Sequence, residues 1–182
     1  TVPTWSMTLD MNKDNTLIAF GGLDNKVTLH MILDKTNAKE EEWINISYFE
    51  GYIAKVKFMD ISEDTNYLMV CGDCQCHIID LNEYKDENIK NIEPYKQWKA
   101  NADVMDCAYY IYSKDRILIV FVSVDKCLYI TDLYDNLTLI KVKDAESDLN
   151  CVDISNNGQL LVIGSDDFCV RIYRINQKMT LN

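Results

Sequence analysis

The densest group of possible ligands in the chain is Cys71-Gly72-Asp73-Cys74-Gln75-Cys76-His77, where thiols and an imidazole crowd one short segment. Closely spaced Cys and His are ordinary donors for zinc and for metal clusters. The local pattern speaks against that chemistry. The segment reads as a tight turn followed by a strand, so Cys74 and Cys76 share one strand face and His77 points to the other. No second Cys-x-x-Cys pair completes a zinc set, and the haem-attachment spacing Cys-x-x-Cys-His is not met. The other chemical groups are weaker. Asp166-Asp167 offers adjacent carboxylates, but neighbours on a strand or turn point apart and rarely share a proton or a metal. The two histidines, His30 and His77, fall far apart with no Ser or Cys nucleophile beside them, and His30 reads as a packing residue. No Gly-rich phosphate loop, Gly-x-Ser-x-Gly elbow or His-Glu-x-x-His pair is present. The expectation is a non-enzymatic chain with no catalytic residue, metal site or cofactor.

Composition sets the class. The 182 residues carry 18 Lys and Arg against 29 Asp and Glu, a formal charge of −11. Such a chain repels phosphate backbones, which argues against nucleic acid and against direct binding to anionic membranes. Apolar residues make up 48% and charged residues 26%, a globular balance with enough material for a core. The longest apolar run, Ile117 to Val124, has the length of a strand and not of a membrane helix. No basic stretch precedes an apolar one as in a secretion signal. Seven cysteines, an odd number, fit buried thiols in a reducing cytoplasm. The sequons at Asn45 and Asn136 would then be silent. The chain opens on Thr1, which suggests a processed product or an excerpt.

The elements that must position any site are repeated. Four segments share an apolar stretch, a tight turn ending in Asp, and an alternating stretch: Leu17 to Met31, Tyr67 to Asp80, Leu118 to Asp132 and Leu160 to Arg174. Their turn aspartates, Asp24, Asp73, Asp125 and Asp167, lie 49, 52 and 42 residues apart. A period in that range marks a repeated supersecondary unit. Because these aspartates recur in every repeat, bracing the turn is the role expected of them. Period-two alternation past each turn, as at Val27 and Leu29 or Leu128 and Ile130, describes a strand with one buried face. A further strand precedes each segment, at Met7–Met11, Ile53–Met59, Val104–Tyr110 and Leu149–Ile154. Another follows, around Glu42–Tyr48, Tyr95–Lys99, Leu137–Val142 and Lys178–Leu181. Trp43 and Trp98 then fall in outer strands as packing residues. Six Gly and two Pro are few for so many turns, and Asn and Asp take their place. Tyr84 to Glu93 reads as a polar inserted loop, and Glu40-Glu41-Glu42 as a solvated one.

Four strands per unit at this period predict an all-β chain of propeller blades, cut at about 1–50, 51–101, 102–146 and 147–182. Four such blades do not close a wide ring. Each end blade should expose an apolar flank, so the whole of 1–182 reads as part of a propeller completed elsewhere.

The resemblance is to the WD-repeat family, and within it to heterotrimeric G-protein beta subunits. Thr4-Trp5-Ser6-Met7-Thr8 with Gly21-Gly22-Leu23-Asp24-Asn25 is similar to their second blade. Gly51-Tyr52-Ile53 with Phe58-Met59-Asp60 is similar to the third, and Ala102-Asp103-Val104-Met105 to the fourth. Glu146-Ser147-Asp148-Leu149-Asn150 with Gly164-Ser165-Asp166-Asp167 is similar to the fifth. The matches run in order along nearly the whole chain. The Trp-Asp signature is degenerate, its positions holding His30-Met31, Ile79-Asp80, Thr131-Asp132 and Tyr173-Arg174, and the usual Gly-His pairs are missing. The resemblance implies a seven-bladed ring, of which these are four blades. It also implies a heterotrimer partnership in transmembrane-receptor signalling. The implied partners are a GDP-bound alpha subunit, effectors when the chain is free, and a gamma subunit through parts of the family fold absent here. Location would be cytoplasmic, at the inner face of the plasma membrane through those partners. The competing reading is another WD-repeat adaptor, ciliary or associated with a ubiquitin ligase.

The binding residues come from both lines of reasoning. Trp5, Tyr52, Asp103 and Asp148 stand just before first strands, Met7, Met105 and Asn150 two residues further on, and Leu23 and Asp166 in the turns between second and third strands. Those positions are expected to converge from four blades on one patch. Aromatics, Met and Leu bordered by acids make a protein-binding surface that selects a basic partner. The resemblance implies that this surface meets the alpha subunit and its competitors.

Overall fold

A computed structural model describes residues 5–32, 43–46, 49–62, 65–82, 93–135 and 140–175. The strands are β1 (Ser6–Met11), β2 (Leu17–Gly22), β3 (Val27–Met31), β4 (Trp43–Ile46), β5 (Ile53–Ser62), β6 (Thr65–Gly72), β7 (Gln75–Asp80), β8 (Lys96–Lys99), β9 (Val104–Ser113), β10 (Arg116–Ser123), β11 (Leu128–Asp132), β12 (Ile140–Val142), β13 (Leu149–Ile154), β14 (Leu160–Ser165) and β15 (Val170–Arg174). They form four sheets in the orders β1-β2-β3-β4, β5-β6-β7-β8, β9-β10-β11-β12 and β13-β14-β15. Each sheet is an antiparallel meander of strands consecutive in sequence, as the four-strand repeat predicts. The outer strand expected near Lys178–Leu181, most of the loop at Tyr84 to Glu93 and the run Glu40 to Glu42 lie outside the described residues.

The chain divides into two compact units, Thr1–Trp98 and Lys99–Asn182, each carrying two sheets. In the first unit, Ala19, Val27 and Leu29 of one sheet cluster with Ile53, Val56 and Leu68 of the next. In the second, Val120, Leu128 and Ile130 cluster with Leu149, Val152 and Leu161. The unbroken aliphatic run of β10 has the composition of a strand buried on both faces, and it is buried almost throughout. Phe121 stacks on Tyr129 with ring centres 4.8 Å apart.

Polar side chains on the first strands stitch sheet to sheet. In the first unit, Thr8 Oγ1 accepts the Val56 N–H at 3.1 Å and Asp10 Oδ2 accepts the Phe58 N–H at 2.8 Å. In the second, the buried Asp106 accepts the Val152 N–H on Oδ2 at 3.0 Å and the Cys107 N–H on Oδ1 at 2.9 Å. These bonds satisfy first-strand amides that face the neighbouring sheet, where an unmet donor would be costly. They also lay the first strands side by side and pointing the same way.

Candidate functional site

Two kinds of hairpin join the second and third strands. In the third and fourth sheets the loop has three residues, closed by the Ser123 N–H on the Cys127 carbonyl at 3.2 Å and the Ser165 N–H on the Cys169 carbonyl at 3.3 Å, and in these turns, as in that of the first sheet, one residue adopts the left-handed region: Asn25 (φ 58°), Lys126 (φ 69°) and Phe168 (φ 65°). In the second sheet Gly72 pairs directly with Gln75, leaving a two-residue loop in which Asp73 (φ 44°) and Cys74 (φ 59°) are both left-handed. Two consecutive left-handed residues make the type I′ turn that suits a twisted two-residue hairpin.

The difference changes what each turn aspartate does. Asp125 accepts the Cys127 N–H at 3.0 Å inside its turn and the Asn101 N–H at 3.1 Å from the segment leading into β9. Tyr129 Oη donates to it as well, and Lys141 Nζ lies 3.3 Å away. Asp167 repeats the arrangement. It accepts the Cys169 N–H at 3.1 Å and the Glu146 N–H at 3.0 Å, while Arg171 grips it at 3.1 and 2.6 Å. Each carboxylate thus ties the turn to the segment that leads into its own sheet. Burial alone would raise the Asp125 carboxyl, but the bonds from Tyr129, Asn101 and Lys141 outweigh it and hold it below its usual value. The Arg171 guanidinium holds Asp167 far below the usual carboxylate range. In the first sheet Asn25, the residue after Asp24, reaches the neighbouring sheet instead, since its Nδ2 donates to the carbonyl of Glu50, in the segment leading into β5, at 3.3 Å. Asp73, in its shorter loop, lies against Gly51, where a Cβ would stand 2.6 Å from the aspartate's own.

The same end of each sheet carries the residues singled out for binding. The Leu23 N–H donates to the Trp5 carbonyl at 3.2 Å, the Val124 N–H to that of Asp103 at 3.0 Å and the Asp166 N–H to that of Asp148 at 3.0 Å. In the second sheet Gly72 packs so tightly on the Tyr52 carbonyl that a Cβ would lie 2.0 Å from it. Immediately after, each first strand bulges. Met7, Ala54, Met105 and Asn150 are the extra residues, with no partner position in the ladder to the second strand. A bulge re-aims its side chain out of the in-and-out alternation of the strand. The spacing that picks out Met7, Met105 and Asn150 therefore has a backbone cause.

Within the first unit, Trp5, Met7, Leu23 and Tyr52 occupy one end of two adjacent sheets. Gly21 seats directly on Ile53, with room for no Cβ, and so draws the Leu23 turn towards the start of β5. Trp5 is 81% exposed and Met7 and Leu23 about half exposed, while Tyr52 is half-buried. Within the second unit, Asp103, Met105, Asp148, Asn150 and Asp166 occupy the corresponding end. Lys126 Nζ, in the third-sheet turn, donates to the Glu146 carbonyl at 2.8 Å and draws the two sheet ends together. Asn150 and Asp166 are exposed and hydrogen-bonded to each other, whereas Asp103, Met105 and Asp148 are half-buried. One unit presents apolar groups and the other carboxylates and amides.

Strand alternation separates His77 from Cys76 as expected, but Cys74 lies in the left-handed turn before β7 and so shares no strand face with Cys76. Cys71 of β6 stands opposite Cys76 of β7, both buried, and Cys74 sits in the turn. His77 belongs to the other face, edge-on to Phe49 with ring centres 5.3 Å apart. Burial lowers its pKa to about 4, so it is neutral at physiological pH.

Several structural side chains escape sequence reasoning. Thr8, Asp10 and Asp106 look like ordinary polar residues of alternating strands. The pairs Lys141–Asp125 and Tyr173–Asp144 join residues far apart in sequence. Tyr129 and Arg171, each four residues beyond its turn aspartate, do carry a local signal.

Residues 138–174 match the family model described as WD domain, G-beta repeat. The antiparallel sheets together with this match fit a WD-repeat propeller with four blades. No curated protein matches the chain. The matched WD repeat runs from the β12 region through β15, so one repeat supplies the outer strand of one blade and the inner strands of the next. WD-repeat domains generally serve protein–protein interaction and not catalysis.

Proposed function

We propose that the chain is a non-catalytic interaction scaffold that captures a partner protein on the bulged ends of its blades. The observation that carries this is the exposure of Trp5 beside Met7 and Leu23. A tryptophan left in water next to a methionine and a leucine, on a unit with a filled core, is an anchor without its pocket. On the second unit, Asp103, Asp148 and Asp166 favour a partner surface that carries basic groups, and the net charge of −11 speeds that encounter.

The resemblance to G-protein beta subunits supplies the partner: a GTPase alpha subunit in its GDP state, released on GTP exchange, with effectors binding the freed surface. A gamma subunit would bind through other parts of that fold, and the partners would hold the protein at the inner face of the plasma membrane. The degenerate Trp-Asp positions favour a second reading, a WD-repeat adaptor of a different complex that uses the same residues.

The test is a pull-down of GDP-loaded alpha subunit with the wild-type chain and with Trp5→Ala/Asp148→Ala. The double variant should keep its circular dichroism spectrum and lose capture. Equal capture by a folded double variant rejects the proposal. Failure of the wild type to bind any alpha subunit rejects the beta-subunit assignment in favour of the adaptor.

A further inference from the structure

Asn157-Gly158 is the one Asn-Gly step in the chain. That dipeptide has a chemistry of its own. The glycine's backbone nitrogen can attack the side-chain carbonyl carbon of the asparagine, since no Cβ on the glycine crowds the approach. A bond from that nitrogen to Cγ forms and the Cγ–Nδ2 bond breaks. The backbone N–H proton passes to solvent, and the leaving nitrogen takes one up to depart as ammonia. Water then opens the cyclic imide at either carbonyl. One opening gives aspartate. The other gives isoaspartate, whose main chain runs through the former side-chain carbon and is longer by one methylene.

The turn holds both reacting groups away from this path. The Gly158 N–H donates to the Ser155 carbonyl at 2.8 Å, and a nitrogen in that bond keeps its proton. The Asn157 carboxamide is held at both ends. Its Oδ1 accepts from Ser155 Oγ at 2.7 Å and from the Gln159 N–H at 3.1 Å, while its Nδ2 donates to Gln159 Oε1 at 3.4 Å. The base of the hairpin closes the turn, with the Ser155 N–H on the Leu160 carbonyl at 2.9 Å and the Leu160 N–H on Ser155 Oγ at 2.9 Å. The third sheet adds the last restraint. Tyr112 Oη donates to the Gly158 carbonyl at 2.8 Å, and Gly158 sits so near the Tyr110 ring that a Cβ would stand 2.3 Å from it. All of these contacts lie within the second unit, so they hold whatever else borders the turn.

We propose that Asn157 is a modification site gated by the joint between the third and fourth sheets. It stays asparagine while Gly158 is seated on Tyr110 and Tyr112. When that joint opens, it passes through the imide to aspartate and isoaspartate. The aspartate form keeps the Oδ1 acceptor and closes again. The isoaspartate form carries an extra main-chain atom inside a turn with no room for it, so a passing opening becomes a permanent one. The site lies away from the bulged blade ends and stands or falls separately from the partner-binding proposal.

The experiment follows the peptide containing Asn157 by mass spectrometry, with isoaspartate and aspartate products resolved. The chain is incubated at mildly alkaline pH in buffer and in guanidinium chloride strong enough to unfold it. Asn157 should be lost more than about tenfold faster in denaturant. In buffer, Tyr112→Phe, checked for folding by circular dichroism, should react about fivefold faster than wild type, the effect of one lost hydrogen bond on the opening equilibrium. An unfolded Tyr112→Phe chain must instead react at the rate seen in denaturant. After removal of denaturant, the aspartate product should regain the wild-type melting curve and the isoaspartate product should not. Equal rates in buffer and denaturant overturn the proposal. So does a folded Tyr112→Phe chain with the wild-type rate, or an isoaspartate product that melts like the wild type.

Discussion

Arg171 holds Asp167 through both carboxylate oxygens, and the same carboxylate accepts backbone N–H groups from Glu146 and Cys169. Asp125 does the equivalent in the neighbouring sheet with Asn101, Cys127 and Tyr129. Both carboxyls have pKa values below their unfolded ones. The stability they contribute is complete above the ordinary carboxylate pKa and is lost as pH falls through the lower folded values. Urea unfolding of the wild type should therefore weaken below about pH 4. Asp167→Asn and Asp125→Asn should lose part of that acid sensitivity and be less stable at neutral pH. An unchanged acid limb in both variants would contradict the bracing role.

His77 adds a second acid-sensitive term at higher pH. Its folded pKa, lowered to about 4 by burial, lies below the unfolded value of 6.5. The unfolded chain takes up the proton first, so stability falls as pH drops from about 6.5 towards 4, by a total of about 3 kcal/mol. His77→Phe should flatten stability across that window. Chemical denaturation at pH 7, 5.5 and 4.5 would measure it.

Asp106 is a buried acceptor for two backbone donors on different sheets. Asp106→Ala leaves both N–H groups without it and should cost about 1–3 kcal/mol. Hydrogen exchange at the Val152 amide should speed up in this variant more than exchange in the middle of β10.

Gly158 has φ +66° and faces the Tyr110 ring, where a Cβ would stand 2.3 Å from a ring carbon. Tyr112 Oη donates to the Gly158 carbonyl at 2.8 Å, which fixes the turn. Gly158→Ala combines backbone strain with overpacking and should destabilise by about 1–3 kcal/mol. Thermal unfolding of the single variant tests this.

Trp5→Ala should behave oppositely. A side chain this exposed contributes little to folding, so stability should change by less than about 0.5 kcal/mol. Binding of the partner should weaken by about 2 kcal/mol or more if Trp5 is the anchor. Isothermal titration alongside denaturation separates the two effects.

Much of the strand architecture is readable in sequence because period-two alternation and turn residues are local signals. The first strands at Ile53, Val104 and Leu149 begin where the pattern places them. The apolar flank expected on each end blade is present at Leu9 and at Val170 and Ile172. Less visible is loop length. Cys76 follows Asp73 by the same three residues as Val27, Leu128 and Val170 follow their turn aspartates, yet the hairpin of Asp73 is shorter, which only pairing of Gly72 with Gln75 reveals. The bulges at Met7, Ala54, Met105 and Asn150 are hidden for a similar reason. An extra residue is defined against a partner strand, and the partner is not adjacent in the text. Asp10 and Asp106 were invisible because their bonds cross from one sheet to another.

The WD repeat at 138–174 starts in the outermost strand of one sheet and ends in the third strand of the next. A gene segment duplicated in that frame would insert a whole new blade, although neither of its ends coincides with a blade edge. Each copy would arrive already latched to its predecessor by covalent chain, so arrays of this kind can lengthen without ever passing through an intermediate that has a loose outer strand.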